Sequence, residues 1–348
     1  MPGPIIAFLV APAVAFFLAA ARKEALIEAT QESNTWGAHL VAMNYQAKLE
    51  RTSRIVADEA ERPELKARLK EGDDRSAQAW LEQVAQARPG FTNWMIQNAA
   101  GRMMARAPWP TPPPLVRHLH DRDYFRGAAA RVGKSGLDAV HISRVFTSMS
   151  DGRNRFAISV AIWDGPPDAP RLLGRFSGFQ DLSTASTMGL SGRRTSLLGR
   201  VDDDTKERYQ LIYHPEYNTP RVAIPVNAHR LFEIQKTDPS KPEIEPITEA
   251  SAKDRPTVAD DDYTDPVAAM QGGPKRRWLA AFAPVGNTEL VAIVQVPFDE
   301  AIEPDAARTR RIFVWIFAAL ALLLSIGWLR AARGRRARRR TPATTATL

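Results

Sequence analysis

The sequence predicts an α+β fold in which one long N-terminal helix carries two antiparallel-sheet modules, with a transmembrane helix at each end. Three observations predict it. An apolar segment lies near each terminus, a stretch poor in glycine and proline follows the first segment, and two sets of short β-like runs come after that stretch.

Composition limits the kinds of function that the chain can have. Its 348 residues are 44% hydrophobic, which is enough to build a substantial core. The net charge is +8, but seven arginines lie in residues 330–340, so the rest of the chain sums to about +1 and no nucleic-acid partner is predicted. The absence of cysteine excludes disulfides, thiolate catalysis and zinc sites built on cysteine.

The apolar segment at residues 312–329 predicts a transmembrane helix. At 1.5 Å per residue it would extend about 27 Å, close to the thickness of the hydrocarbon core. Trp315 and Trp328 lie near its ends, where indole rings favour the headgroup level. The basic tail at 330–348 outweighs the three arginines just before the segment, so the tail is predicted to be cytoplasmic. Lipid or nucleic-acid binding is the alternative to this topological role.

The N-terminal segment at residues 4–22 is either an uncleaved membrane anchor or a signal peptide. No lysine or arginine precedes its apolar run, which favours the anchor, whereas Ala19, Ala20 and Ala21 would suit signal cleavage. Both interpretations place residues of about 23–308 outside the cytoplasm.

Residues 23–88 are predicted to form the long helix and a helical linker. Their apolar residues recur at helical spacing, and Pro63 marks the first break. Residues 89–190 form the first predicted module, which is distal from the membrane. Its β-like runs lie at 91–97, 141–148, 155–163 and 171–179.

The second predicted module covers residues 191–307 and lies next to the membrane. Its β-like runs lie at 195–201, 209–213, 278–284 and 289–296. Between them, residues 234–275 are rich in proline and charged residues and poor in apolar ones. This composition predicts a disordered insertion, with a mobile lid as the alternative.

The segment DRDYFRGAA at residues 121–129 contains Arg122, Tyr124, Phe125 and Ala128 in the pattern R-x-Y-F-x-x-A. It resembles an element of the double Cache family of bacterial extracellular sensor domains, where it precedes the pocket-forming strands. The flanking segments NWMIQNAAGRMMARAPWP and AVHISRVFTSMSDGRNRFAISVAIWD resemble the first strand and the later strand pair of that family. The resemblance implies two PAS-like antiparallel-sheet modules on the long helix.

A narrower resemblance concerns the second module. YTDPV at residues 263–267 and WLAAFAPVGNTELVAIVQVPFDEAI at 278–302 resemble the end of the Cache region in planctomycete-type receptor serine/threonine kinases. The sequence has no GxGxxG loop, HRD or DFG motif, so no kinase is predicted with it.

The family resemblance implies roles for the motif residues. In amino-acid-binding members the arginine holds the ligand carboxylate and the aromatic residues form the pocket wall, which implies these roles for Arg122, Tyr124 and Phe125. A guanidinium matches a carboxylate bidentately, and the rings supply apolar walls. The alternative for the two aromatic residues is a core pair. Arg117 stands where those members have a tyrosine, so we expect a carboxylate or other anion, with an amino-acid-like ligand as the further alternative.

Four more residues are candidates for ligand contact. Trp94, His141 and Arg144 lie on predicted pocket strands, and Asp164 follows a strand, where its carboxylate could meet an ammonium group. An aspartate that opens the turn DGPPD is also ordinary turn chemistry.

The remaining polar clusters predict no metal site, no cofactor and no enzyme. His118, His120 and Asp121 would need further ligands to hold a metal ion. The acidic triplet at 260–262 is interpreted as a solvated turn, and His214 as a structural residue. No GxSxG elbow supports a hydrolase.

Together these features predict a receptor of the bacterial inner membrane. A small-molecule ligand would bind in the distal module, and the transmembrane helices would pass the signal to a separate kinase-type effector in the membrane or cytoplasm. The long helix could also pair with a second copy in a homodimer. The alternative function is a ligand-free periplasmic scaffold or interaction protein built on the same fold.

Overall fold

The structure is a computed structural model of the chain. It describes residues 3–109, 118–148, 151–166, 168–181, 193–200, 209–215, 222–223, 257–267, 276–286 and 288–338. The chain divides into two compact units, of which Thr30–Pro297 is one and the two terminal segments are the other.

Three helices precede the first sheet. Helix α1, Gly3–Ala60, is 58 residues long, and helix α2, Pro63–Glu71, begins with a proline, whose missing N–H needs no partner in a first turn. Helix α3, Asp74–Ala87, is capped by Asp73, whose carboxylate accepts the N–H of Arg75 at 2.9 Å. The long helix and the break at a proline are as predicted from the sequence.

Helix α1 buries one face within the unit Thr30–Pro297. Its buried apolar positions recur at helical spacing. They include Ala38, Val41, Tyr45, Leu49, Val56 and Ala60. These side chains belong to one hydrophobic core that also takes in residues of both sheets, so α1 is the common support of the two sheets.

Sheet one follows α3 and is antiparallel. Its described strands are β1 (Asn93–Asn98), β2 (Met103–Ala107), β3 (Val140–Ile142), β4 (Phe146–Thr147), β5 (Asn154–Asp164) and β6 (Arg171–Asp181). Their order is β2-β1-β6-β5-β3, and β4 also pairs with β5. Helix α4, Asp123–Ala129, lies between β2 and β3 in the chain.

The predicted run at 141–148 is two strands rather than one. Ser143 still bonds to Ala157 of β5, but the N–H of Arg144 donates to the carboxylate of Asp123 at 2.7 Å. A side chain of α4 therefore interrupts the strand ladder at this point.

Sheet one has two different faces, because side chains alternate along each strand. The first, termed the helix-core face, carries Trp94 and Phe176, whose rings stack 5.1 Å apart. Phe176 also lies 5.8 Å from Trp80 of α3. The opposite face carries Arg175 and Phe179 of β6, which contact aromatic residues of α4, and is termed the α4 face.

Sheet two is also antiparallel. Its described strands are β7 (Arg194–Arg200), β8 (Tyr209–Tyr213), β9 (Val222–Ala223), β10 (Val258–Thr264), β11 (Arg277–Pro284) and β12 (Leu290–Pro297). Their order is β10-β11-β12-β7-β8-β9. One side joins the core around α1, and the other holds a separate apolar cluster that includes Leu198, Trp278 and Phe282. The α+β class with a long N-terminal helix and two sheets is thus confirmed.

The predicted disordered insertion at 234–275 needs correction where β10 lies. β10 pairs with β11, and the ring of Tyr263 packs edge-on against Phe282, 5.4 Å away. The acidic residues beside Tyr263 occupy a bulge, where Asp261 and Asp262 remain exposed. The buried ring of Tyr263, paired in register with β11, therefore stabilises β10, although the composition of this segment suggested disorder. Of this insertion the structure describes residues 257–267, and residues 234–256 and 268–275 lie outside the described residues.

Helix α5, Phe298–Arg338, is 41 residues long. Its segment Arg311–Trp328 has a mean hydropathy of 2.0, and none of its described side chains is buried. Within the described part of the chain, it is the one helical segment that is long and apolar enough to cross a membrane. Residues 4–22 form the start of α1, and their membrane-spanning role stays a prediction.

Candidate functional site

Helix α4 brings the motif residues onto sheet one. Arg122 is the residue before the first helical turn, with extended backbone angles (φ −71°, ψ 145°) and a half-buried side chain. Tyr124, Phe125 and Ala128 are buried, as expected for positions that share one face of a helix. Arg126 points away from that face and is exposed.

Tyr124 lies in an aromatic cluster on the α4 face. Its ring centroid is 5.4 Å from that of Phe146 and 5.5 Å from that of Phe179, and the latter two are 6.0 Å apart. Met95, Met103, Leu119, Phe125 and Ala157 complete the cluster. The arrangement is that of a packed apolar wall, with only 4% of Tyr124 and 8% of Phe125 exposed.

Phe125 covers a buried guanidinium. The central guanidinium carbon of Arg175 lies 3.1 Å from the centroid of the Phe125 ring, and Arg175 is only 2% exposed. Its Nε and Nη1 atoms have no hydrogen-bond partner in the part of the chain that the structure describes. Burial lowers the pKa of Arg175 to about 10. A buried cation with unpaired donors is a group that needs a partner.

The neighbours of Arg175 on the α4 face are small or polar. Strand pairing places Arg175 opposite Gln97 of β1 and Ala161 of β5. Gln97 is fully buried, and its Oε1 atom has no hydrogen-bond partner among the described residues. Two residues further along β6, Ser177 bonds to Ser159 at 2.8 Å between their hydroxyl oxygens. We term Gln97, Ser159, Arg175 and Ser177 the polar floor.

A second buried arginine on the same face is fully paired. Arg155 and Asp181 form an ion pair in which each side chain is 5% exposed, and Arg155 also donates to Asp151 at 2.6 Å and to Ser148 at 2.9 Å. Arg106 faces the same region from β2. Burial, followed by the nearby charge of Arg155, lowers the pKa of Arg106. The α4 face is therefore rich in guanidinium groups.

Asp123 of α4 ties the helix to the strand connection behind it. Its Oδ2 atom accepts a hydrogen bond from His141 Nε2 at 3.1 Å and one from the N–H of Arg144 at 2.7 Å. Burial raises the pKa of Asp123, but the hydrogen bonds and charges of His141 and Arg144 outweigh it, so the pKa lies below its ordinary value. Asp123 is therefore held as a carboxylate.

Gly127 makes room for this contact. A Cβ atom at residue 127 would lie 2.1 Å from Nε2 of His141, so only glycine allows the imidazole to approach α4 so closely. The same network reaches sheet two, because Arg144 Nε donates to Glu289 Oε2 at 2.9 Å, and Glu289 directly precedes β12. A chain of contacts therefore runs from α4 to the second sheet within the unit Thr30–Pro297.

Five of the seven predicted ligand residues come together at α4. Arg122, Tyr124 and Phe125 belong to the helix and its first flanking residue, while His141 and Arg144 hold Asp123. His141 and Arg144 are therefore placed as supports of the helix, and their direct contact with a ligand stays a prediction.

Trp94, which the sequence predicted as a ligand residue, lies on the opposite face of sheet one from α4. It is fully buried on the helix-core face, where it stacks on Phe176 and packs at a tilted angle against Phe91. The next residue, Met95, is the one that faces α4, because neighbouring residues in a strand point to opposite faces.

Asp164, also predicted as a ligand residue, lies away from α4, where it pairs with α2. It ends β5, where it forms ion pairs with Lys70 of α2 at 2.8 Å and with Arg171 at 3.9 Å. The hydrogen bond from Lys70 is the main cause of the lowered pKa of Asp164. Its carboxylate therefore has local partners at the strand end.

Sequence reasoning missed Arg175, Arg155, Arg106 and Phe179. A signal existed for Arg175, since an arginine at an interior position of the run RLLGRFSGFQD breaks an otherwise apolar and small-residue strand. Such a residue marks either a buried ion pair or a ligand contact. Residues 118, 120 and 121, considered for a metal, are described, and no metal-binding cluster of His, Cys, Asp and Glu occurs in the described ranges.

Sheet two has a separate buried polar cluster. His214 Nε2 donates to Asp265 Oδ2 at 3.1 Å, and Gln295 Nε2 donates to the same oxygen at 2.8 Å. The N–H of Val267 donates to Asp265 Oδ1 at 2.9 Å. Asp265 joins the β10 end to β12 through these bonds, as expected for the structural role predicted for His214.

Comparison with known proteins gives a likeness of fold. No family model and no curated protein matches the sequence. The structure is similar to the ligand-binding domain of the Pseudomonas fluorescens chemoreceptor CtaA in complex with L-leucine, with a TM-score of 0.50 and 15% identity, over 81% of this chain and 99% of that one.

It is also similar to the ligand-binding domain of the Pseudomonas aeruginosa PAO1 amino acid chemoreceptor PctB in complex with L-Arg. The TM-score is 0.50 at 13% identity, over 79% of this chain and 97% of that one. At such identities the likeness concerns the fold alone. The long helix with two antiparallel sheets is consistent with a double Cache-like domain.

Proposed function

We propose that this chain is an extracytoplasmic sensor that binds a small ligand, a carboxylate or other anion, between α4 and the α4 face of sheet one. The fold supports this proposal, because similar structures are ligand-binding domains of chemoreceptors. No catalytic motif accompanies the site, so the proposed role is recognition without chemistry.

One observation carries the proposal. Helix α4 lays the rings of Tyr124 and Phe125 over a sheet face that holds the guanidinium groups of three arginines, and Arg122 directly precedes the helix. The three arginines are Arg106, Arg155 and Arg175. Aromatic walls beside clustered guanidinium groups are suited to an anion with an apolar part.

We further propose that the sensor is anchored in the bacterial inner membrane. Segment Arg311–Trp328 would be one span and residues 4–22 the other, with the arginine-rich end of α5 in the cytoplasm. The signal would pass through these helices to a kinase-type partner chain, which the narrow resemblance of residues 263–302 to receptor kinases favours. Pairing of two copies through α1 belongs to the same proposal.

The contacts behind α4 provide a route for the signal within Thr30–Pro297. A ligand that shifts α4 would move Asp123, which bonds to Arg144, which in turn bonds to Glu289 at the start of β12. Two sites are coupled when a ligand favours one of two arrangements of such an element.

A thermal-shift experiment on the full-length protein in detergent tests the proposal. The panel contains carboxylates, amino acids, amines and phosphate. A ligand that binds only the folded state adds about 2.7 kcal/mol at 100 times its Kd. We expect a carboxylate to raise the unfolding temperature, and Arg122→Ala to abolish the rise.

Arg126→Ala is the matched control, since it removes an arginine from the exposed side of the same helix. It should leave the ligand-induced rise unchanged. No rise with any compound, or a rise that Arg122→Ala preserves, contradicts the proposed role of this site.

The second candidate function is a ligand-free scaffold. The burial of Tyr124 and Phe125 in the aromatic cluster favours it, because both rings already fill space on the α4 face. Under that function, Tyr124→Leu would reduce stability but no compound in the panel would bind.

A further inference from the structure

We infer that Arg175 holds the acidic group of the ligand from the polar floor, and that the ligand is an organic acid that carries no ammonium group. The inference rests on the proposed function and specifies its ligand. It assigns the main ionic contact to a strand residue beneath Phe125, in addition to the helix-flanking Arg122.

The first argument is the missing partner of Arg175. The guanidinium is withdrawn from water beneath Phe125, and neither Nε nor Nη1 is hydrogen-bonded within the described ranges. A buried cation is stabilised by an anion that satisfies its donors, and the planar fork of a guanidinium fits a carboxylate. Arg155, on the same sheet face, differs from Arg175 because its guanidinium forms ion pairs with two carboxylates of the protein, Asp181 and Asp151.

The second argument is the charge of the surrounding groups. The acids that approach this face are Asp151 and Asp181, which pair with Arg155, and Asp123, which bonds to His141 and Arg144. Within the part of the chain that the structure describes, no carboxylate at this face is left for a ligand ammonium. A zwitterion would bring its positive charge next to Arg175 without compensation.

The third argument concerns Gln97. Its Oε1 atom is buried and unpaired, and strand pairing places Gln97 directly opposite Arg175. An acceptor beside a cation suits a ligand with a hydroxyl donor next to its carboxylate. The polar floor therefore favours a small hydroxy acid over a plain fatty acid.

The residues that lie beside Arg175 on the sheet have small side chains. Ser159 and Ser177 bond to each other, and Ala161 lies opposite Arg175 on β5. None of these side chains reaches the length of the arginine. The ligand acid would lie over them, with Phe125 stacked on the guanidinium.

Matched pairs of acids test this inference on the full-length protein in detergent by isothermal titration calorimetry. L-lactate is compared with L-alanine, and succinate with L-aspartate, because each pair differs chiefly by an ammonium group. We expect the two acids to bind at least about tenfold more tightly than their amino counterparts, since an unpaired buried charge is strongly disfavoured. Propionate should bind more weakly than L-lactate, because it cannot donate to Gln97.

The variant Arg175→Met removes the proposed contact. We expect it to weaken L-lactate binding by about 10- to 100-fold, as for the loss of hydrogen bonds between charged groups. Arg171→Met is the matched control, because it removes an exposed arginine from the same strand, and it should bind L-lactate like the unchanged protein. If Arg175→Met does not fold, Arg175→Lys keeps the charge without the fork and should still weaken binding.

The outcomes separate this inference from the proposed function. If L-alanine binds as tightly as L-lactate, or if L-lactate binding survives both Arg175 substitutions while Arg122→Ala abolishes it, the inference is wrong and the sensor function stands. If none of the acids and none of their amino counterparts binds, both fail.

Discussion

The two buried arginines on the α4 face should respond in opposite ways to replacement by methionine. Arg155→Met leaves Asp181 buried at 5% exposure without its main partner. Removing one member of a buried ion pair destabilises a protein by about 3–5 kcal/mol. Arg175→Met instead removes a buried cation whose Nε and Nη1 donors have no hydrogen-bond partner among the described residues, so it should leave stability unchanged or raise it.

Thermal unfolding of the full-length protein without ligand measures this contrast. For a unit of this size about 1 kcal/mol corresponds to about 2–4 °C, so Arg155→Met should lower the unfolding temperature by roughly 6–20 °C. Tryptophan fluorescence is a suitable probe, because Trp80 and Trp94 lie in the core against sheet one. The double variant Arg155→Met/Asp181→Leu should recover part of the loss. If Arg175→Met lowers the unfolding temperature by more than about 2–4 °C, which corresponds to about 1 kcal/mol, the assignment of Arg175 as a cation with unsatisfied donors is refuted.

Three further predictions concern the contacts behind α4. The pKa of Asp123 is depressed in the folded protein, so its contribution to stability is present above the ordinary carboxyl pKa and is lost as the pH falls through the depressed value. Asp123→Asn should therefore reduce the fall in unfolding temperature at acidic pH. An unchanged fall would contradict this. Gly127→Ala should destabilise by about 1–3 kcal/mol, because the new Cβ displaces His141, and Gly90→Ala, where nothing lies within 4 Å, is its control in the same melts. A double-mutant cycle of Arg144→Met and Glu289→Gln, measured as free energies of unfolding, should give a coupling of only about 0.2–1 kcal/mol, since both side chains are partly exposed. A coupling above that range would contradict this and would show a stronger link between the sheets.

The motif helix shows how far the sequence could predict the site. Its pattern placed Arg122, Tyr124 and Phe125 together, and the helical spacing fixed which of them face the sheet. The strand to which they pack could not be named in advance. Strand order depends on pairings between distant segments, and β6 becomes central in sheet one through partners on both β1 and β5.

Trp94 and Arg175 show why the remaining site residues were misassigned or missed. A one-residue error in the register of a strand moves each side chain to the opposite face of the sheet. Such an error places Trp94 instead of Met95 on the α4 face. Arg175 carries no motif, and its significance appears only when its donors are found without partners. Pairing between distant segments also decided the structure of β10. The composition of 234–275 suggested disorder, but Tyr263 pairs with a residue of β11.

Hydrogen–deuterium exchange of the full-length protein with and without L-lactate tests the central claim most directly, because it reports where a ligand acts. Amides that a ligand stabilises exchange more slowly. Slower exchange concentrated in Asp123–Ala129 and in Arg171–Asp181, and absent in Arg175→Met, is the predicted result. Unchanged exchange in both segments across the panel of acids, or protection confined to sheet two, would contradict the proposed site.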